Sequence, residues 1–136
     1  MSDLFEAALK SNIEIIYSSQ PDNESVSIQG DKACYIAVDY ALMWNVSKER
    51  VHIAHEIGHC VTGSFYNIYS PLDRRTKHEE RANRWAIEKL MPLTDLRAAL
   101  SCGNTEPWEL ADYFCVTCEF VELALNYWTN TRGEAL

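Results

Sequence analysis

The stretch VHIAHEIGHCVTG, from Val51 to Gly63, holds His55, Glu56 and His59 in the spacing HExxH. Side chains four apart on a helix lie one above the other, so the two imidazoles can reach a single ion. Glu56 would lie about 100° around such a helix from His55, able to reach water at the ion without being a ligand. Neutral imidazole is a good zinc ligand, a catalytic zinc uses three protein ligands and an open position, and a neighbouring carboxylate can act as general base toward water. Two ligands are supplied here and one is missing. Composition alone produces HExxH in roughly one shuffle of this chain in a hundred, so the third ligand decides how much weight the motif carries.

That ligand should come from a helix returning across the first, and KHEERANRWAIEKLMP, from Lys77 to Pro92, is the strong candidate. Ala82, Ala86 and Leu90 form an apolar stripe that Glu79 extends by one turn. A carboxylate on an inward stripe needs a partner, and a metal would be one. Glu80 shares a stripe with Arg84, Ile87 and Met91, where an exposed Glu to Arg pair is the ordinary explanation, so Glu79 is favoured. His78 is the other possible ligand, although its face, continuing through Arg81 and Trp85, puts it at the site's edge. Asn83, one turn after Glu79, can orient a ligand by a hydrogen bond or simply be a polar packing residue. His52, one turn before His55, fits an exposed or supporting role better than ligation. The segment from Ser64 to Thr76 must cross near the site to bring Glu79 back. His78, Tyr66 and Tyr69 are therefore candidates to stabilise an oxyanion, each equally readable as an ordinary surface residue.

These residues need elements to hold them. Ser47 can cap a helix from Lys48 to about Ser64, with Val51, Ala54, Ile57 and Val61 as its inward face. Upstream, Ser2 to Lys10 reads as a short helix, and Ile13–Ser18, Ser25–Gln29 and Ala33–Asp39 read as strands. Gly30 and Asp31 signal a hairpin between the last two, and SSQPDNE is a loop. Beyond Ser64 the pattern is helical, with Thr94 capping Asp95–Leu100, Pro107 opening another helix and Thr117 capping a last one that ends near Trp128. The expectation is one α+β domain over 1–136: a small, mostly antiparallel three-stranded sheet packed on a helical body that contains the HExxH helix.

Composition narrows the classes. With 12 basic against 20 acidic residues the net charge is −8, which repels phosphate backbones and argues against direct nucleic-acid binding, with Arg74, Arg75 and Lys77 as a possible local contact patch. No apolar run approaches the roughly 20 residues of a membrane span. The N-terminus carries acidic residues where a secretory signal has basic ones, and five scattered cysteines fit reduced thiols, so a cytoplasmic protein is expected. Cys115 and Cys118 form a lone CxxC better explained as a helix entry. Cys60 reads as a small packed residue, and Trp85, Trp108 and Trp128 as core aromatics.

IAHEIGH followed by EERANRWAIEKLMP resembles the ImmA/IrrE family of metallopeptidases, in which a helix with HExxH precedes one of the form ExxANxFAxxLLxP. Glu79, Ala82, Asn83, Trp85, Ala86, Leu90, Met91 and Pro92 match in order, with Trp85 for the usual Phe and Lys89 for the first Leu. YIAVDYAL is similar to the family's edge strand and ELADYFCVTCEFVELAL to its C-terminal segment. The resemblance implies a zincin-like minimal fold, one zinc ion held by His55, His59 and Glu79, and Glu56 as catalytic base. It also implies a protein substrate, a helix-turn-helix repressor encoded nearby on a phage or mobile element. Two rival classes are a non-hydrolytic regulator that binds a repressor or other protein, and a DNA-binding module built from the short helices between Thr94 and Trp128. The second is disfavoured by the acidic residues in that region.

Overall fold

The structure is a computed structural model that describes residues 1–20, 24–66 and 69–136. The expected loop residues Pro21, Asp22 and Asn23 lie outside the described residues, as do Asn67 and Ile68 of the segment leading to Glu79. The chain runs α1 (Ser2–Lys10), β1 (Ile13–Ser18), β2 (Ser25–Gln29), β3 (Cys34–Asp39), a 3-10 turn (Tyr40–Trp44), α2 (Val46–Thr62), α3 (Leu72–Leu90), α4 (Leu93–Ser101), α5 (Pro107–Phe114), α6 (Cys118–Asn126) and a π-helical turn (Tyr127–Thr131). This is the α+β architecture of a small open sheet with six α-helices among the described residues.

The sheet is mixed, with order β1-β3-β2. β2 and β3 form the antiparallel pair that the Gly30 turn signals, with Ser25 opposite Val38 and Ser27 opposite Ile36. β1 pairs with β3 in parallel, Ile15 opposite Ile36 and Tyr17 opposite Val38. β3 is central because Ile36 and Val38 are fully buried. The odd positions of β1 and β2 and the even positions of β3 face the helices, and α2 lies across that face.

Helix α2 begins at Val46 rather than Lys48, because Asn45, not Ser47, accepts the backbone N–H of Lys48 at 3.1 Å. It ends at Gly63, whose positive φ of 66° forms the C-cap. Its inward side is Ile53, Ala54 and Ile57, all fully buried, whereas Val61 is 42% exposed. The expected face is rotated because α2 is covered on two sides, by the sheet and by α3, so more than one stripe is buried. Glu49 is among the buried residues, and the Tyr17 hydroxyl donates to it at 2.9 Å. Burial first, and then Glu49, push the Tyr17 phenol up to about 12.

Helix α3 starts at Leu72, a turn before the expected Lys77, and buries Ala82, Ala86, Ile87 and Leu90. The α2–α3 crossing is set by Gly58: a Cβ there would lie 2.5 Å from the Ala82 carbonyl oxygen and 3.0 Å from its Cα. Only glycine lets the backbones meet so closely. The later caps agree with Pro107 and Thr117, while α4 begins directly after Pro92 rather than at a Thr94 cap. Trp128 is buried and donates to the Met91 carbonyl at 2.9 Å, Trp85 is half-buried, but Trp108 is 62% exposed and is not a core residue.

The expectation of free thiols holds for Cys102, Cys115 and Cys118, but Cys34 and Cys60 are joined in a disulfide. The first residue of β3 faces the end of α2, and the two Cα atoms are 6.0 Å apart, within bridging range. Closing a loop with a sequence separation of 26 contributes roughly 3 kcal/mol on the chain-entropy account.

Two substitutions check this packing by urea unfolding. Gly58→Ala should lower stability by about 1–3 kcal/mol, since backbone rather than a flexible side chain must give way. Replacing Cys34 and Cys60 together by Ser should lower it by about 2–4 kcal/mol, and adding reductant should then have no further effect.

Candidate metal centre

Three of the four histidines lie on α2, and the helical spacing points them in two directions. His55 and His59 face α3. Their Nε2 atoms are 3.1 Å apart, and Glu79 reaches from α3 to place Oε2 2.8 Å from His55 Nε2 and Oε1 3.2 Å from His59 Nε2. One ligand atom from each residue lies within 4.8 Å of the other two. Glu80 is exposed and does not belong to this cluster.

The other ring nitrogens are held from behind. His59 Nδ1 is 2.5 Å from the Ser64 carbonyl oxygen, an atom that only accepts, so Nδ1 carries hydrogen. His55 Nδ1 lies 2.8 Å from Asn83 Oδ1 and can donate in the same way. A neutral ring so arranged leaves the lone pair on Nε2, and both lone pairs then converge on a carboxylate. Such a set of electron-pair donors repels itself unless a cation or protons lie between them. The residues therefore fit a divalent ion that takes nitrogen and oxygen ligands, zinc among them.

The electrostatics show the same strain. Hydrogen bonds from His55, then His59 and Tyr66, hold the Glu79 carboxyl far below the usual carboxylate range. Burial pushes the His59 imidazole down, but Glu79 and the Ser64 carbonyl outweigh it and the net shift is upward. The Tyr66 hydroxyl donates to Glu79 Oε1 at 2.7 Å, and that bond, with burial, pushes its phenol up to about 12. Tyr66 thus stays a donor throughout the physiological range.

These groups line an open cleft of about 540 Å³ with Glu56, Ser25, Val26, Ser27, Ser64, Phe65 and Arg75. Glu56 is only 8% exposed. Of the remaining sequence candidates, Asn83 orients His55, Tyr66 touches Glu79, and His78 stacks on the Tyr66 ring at 6.2 Å between centroids. Tyr69 is exposed and is not among the residues lining the cleft. The serines of β2 and the Ser64 carbonyl carried no signal in a search for ligand-forming residues. Ser25 could have been noticed only as a polar position in an alternating strand.

Residues 10–126 match the Peptidase M78 family, described as the IrrE N-terminal-like domain. The chain belongs to this family. No curated protein and no solved structure matches it. Membership in a metallopeptidase family and a His55, His59 and Glu79 cluster able to hold a metal agree with one another. The matched span runs from the end of α1 to the end of α6 and so contains every residue of the cluster, and no helix among the described residues is long and apolar enough to cross a membrane.

Metal affinity should depend on pH with a definite sign. The raised His59 pKa belongs to the ion-free state, so below it the ring is protonated and zinc must displace that proton. Zinc affinity, measured by calorimetry, is expected to rise from about pH 5 to about pH 8 with net proton release. An affinity independent of pH across that range would exclude His59 as a ligand.

Proposed function

We propose that this chain is a zinc-dependent endopeptidase acting on a protein substrate. The observation that carries the reading is the convergence of His55, His59 and Glu79 beside the buried carboxylate of Glu56 in one open cleft. When bound, the ion supplies Lewis-acid polarisation of the scissile carbonyl and makes water easier to deprotonate. His55, His59 and Glu79 would hold it, with Asn83 and the Ser64 carbonyl fixing the two rings. Glu56 takes the proton of the attacking water and passes it to the leaving amine. Tyr66, kept protonated and stacked on His78, gives its one hydrogen to Glu79 and becomes an oxyanion donor by releasing that bond.

A protein substrate suits the shape of the site. β2 is an edge of the sheet, and its residues Ser25 to Ser27 line the cleft, so an extended chain can add its main-chain hydrogen bonds there. The narrower reading, cleavage of a helix-turn-helix repressor encoded nearby on a phage or mobile element, rests on the ImmA/IrrE resemblance, while a cytoplasmic location loses its reduced-thiol argument to the Cys34–Cys60 disulfide. The net charge of −8 favours protein over nucleic acid as the partner.

The test mixes the zinc-loaded chain with the repressor encoded beside it, with and without chelator. Glu56→Gln should keep zinc while slowing cleavage by at least about 100-fold. Unchanged cleavage by that variant would defeat the mechanism. Repressor binding without any cleavage by the unaltered chain would favour the non-hydrolytic regulator instead.

A further inference from the structure

His52 lies one turn before His55, and its helical neighbour four residues on is Glu56. Lys48, His52 and Glu56 form one stripe of α2, and this stripe faces β2 rather than α3. Glu24, just before β2, and Ser25, its first residue, fit between its members. Lys48 Nζ is 2.5 Å from Glu24 Oε1, Glu24 Oε2 is 2.7 Å from His52 Nε2, His52 Nδ1 is 2.9 Å from Ser25 Oγ, and Ser25 donates to Glu56 Oε2 at 2.8 Å. The contacts zigzag across the helix–strand interface from an exposed lysine to the buried carboxylate.

We infer that Ser25, held by His52 and Glu24, is a positioning residue for the Glu56 carboxylate. The inference rests on the peptidase reading for the role of Glu56, while the contacts stand independently of it. A carboxylate on a flexible side chain has several rotamers, and a general base works only in the one that reaches its proton. Ser25 fixes one carboxylate oxygen of a residue that lines the cleft, and the other oxygen is not held by Ser25. A hydroxyl donates to a carboxylate and accepts from a carboxylic acid, so the same contact survives when Glu56 takes up a proton. When His52 carries hydrogen on both nitrogens, Nδ1 donates to the Ser25 oxygen and Nε2 to Glu24, itself anchored by Lys48. In the neutral ring, which burial favours, Glu24 takes the one N–H and Nδ1 competes with Glu56 for the Ser25 hydrogen.

The experiment has two arms. In the first, zinc-loaded Ser25→Ala and Ser25→Thr variants are assayed on the peptide that the unaltered chain cleaves fastest from a quenched-fluorescence library. Ser25→Ala should lower kcat about tenfold or more, with KM and zinc affinity unchanged, and Ser25→Thr, which keeps the hydroxyl, should restore most of the rate. An unchanged kcat, a loss traced to zinc affinity or KM, or a threonine variant as slow as alanine would overturn the inference. The second arm needs neither substrate nor zinc. The 15N shift of His52 Nδ1 should respond to Glu56→Gln more strongly when Ser25 is present than in the Ser25→Ala background, where only the direct charge effect of Glu56 on His52 remains. An equal response in both backgrounds would overturn the inference. A chain that cleaves no peptide defeats the peptidase reading alone, since the nitrogen shift still tests the contact.

Discussion

The near-contact of two helix backbones at Gly58 and Ala82 is the constraint on which the rest of the site depends. His55 and His59 lie on either side of Gly58 along α2, and Glu79 and Asn83 lie on either side of Ala82 along α3. Helices normally pack with axes 8–10 Å apart, at the close end only when small residues meet. Here the close approach lets the Glu79 carboxylate span to both Nε2 atoms and lets Asn83 reach behind His55. A larger residue at either crossing position would separate ligands from ligand and ligand from support in one step.

Helix α2 then serves two partners. One side gives its imidazoles to α3, and another gives Glu56 to the edge strand β2 through Ser25. The proposed metal ligands and the proposed base are therefore anchored by different elements, and a disturbance of one support need not move the other. The helix cannot easily slide between them. Tyr17 ties its first half to β1, and the bond from Cys60 to Cys34 ties its end to β3, one residue beyond His59.

Much of this was legible in the sequence because periodicity is a local signal. The 3.6-residue stripes placed α2 and α3 and singled out Glu79 over Glu80, and Pro107 and Thr117 marked helix starts that the structure keeps. What escaped was non-local. The parallel pairing of β1 with β3 depends on which strand takes the centre, and the turn chemistry of Gly30 and Asp31 speaks only for the hairpin beside it. The Cys34–Cys60 pairing joins residues with a sequence separation of 26, and connectivity of that kind is not encoded in spacing. The first turn of α3, LDRRT, is polar and exposed on nearly every side, so no apolar face announced it.

Strand β2 departs furthest from ordinary patterning. Alternation in SVSIQ would by itself turn Val26 and Ile28 toward the helices and the serines toward water. The register does the opposite, because Ser25 and Ser27 stand opposite the buried Val38 and Ile36, leaving Ile28 exposed on the outer face. A one-residue slip would bury the apolar pair and remove Ser25 from Glu56 and His52. The strand instead presents hydroxyls to a cleft containing a buried carboxylate and two imidazoles, where apolar side chains would leave Glu56 without a donor. Local sequence rules are expected to break at functional positions, and here the break falls on the strand that faces the proposed base. Being at the edge of the sheet makes this tolerable, since the inward face of β2 meets the cleft rather than the centre of the core.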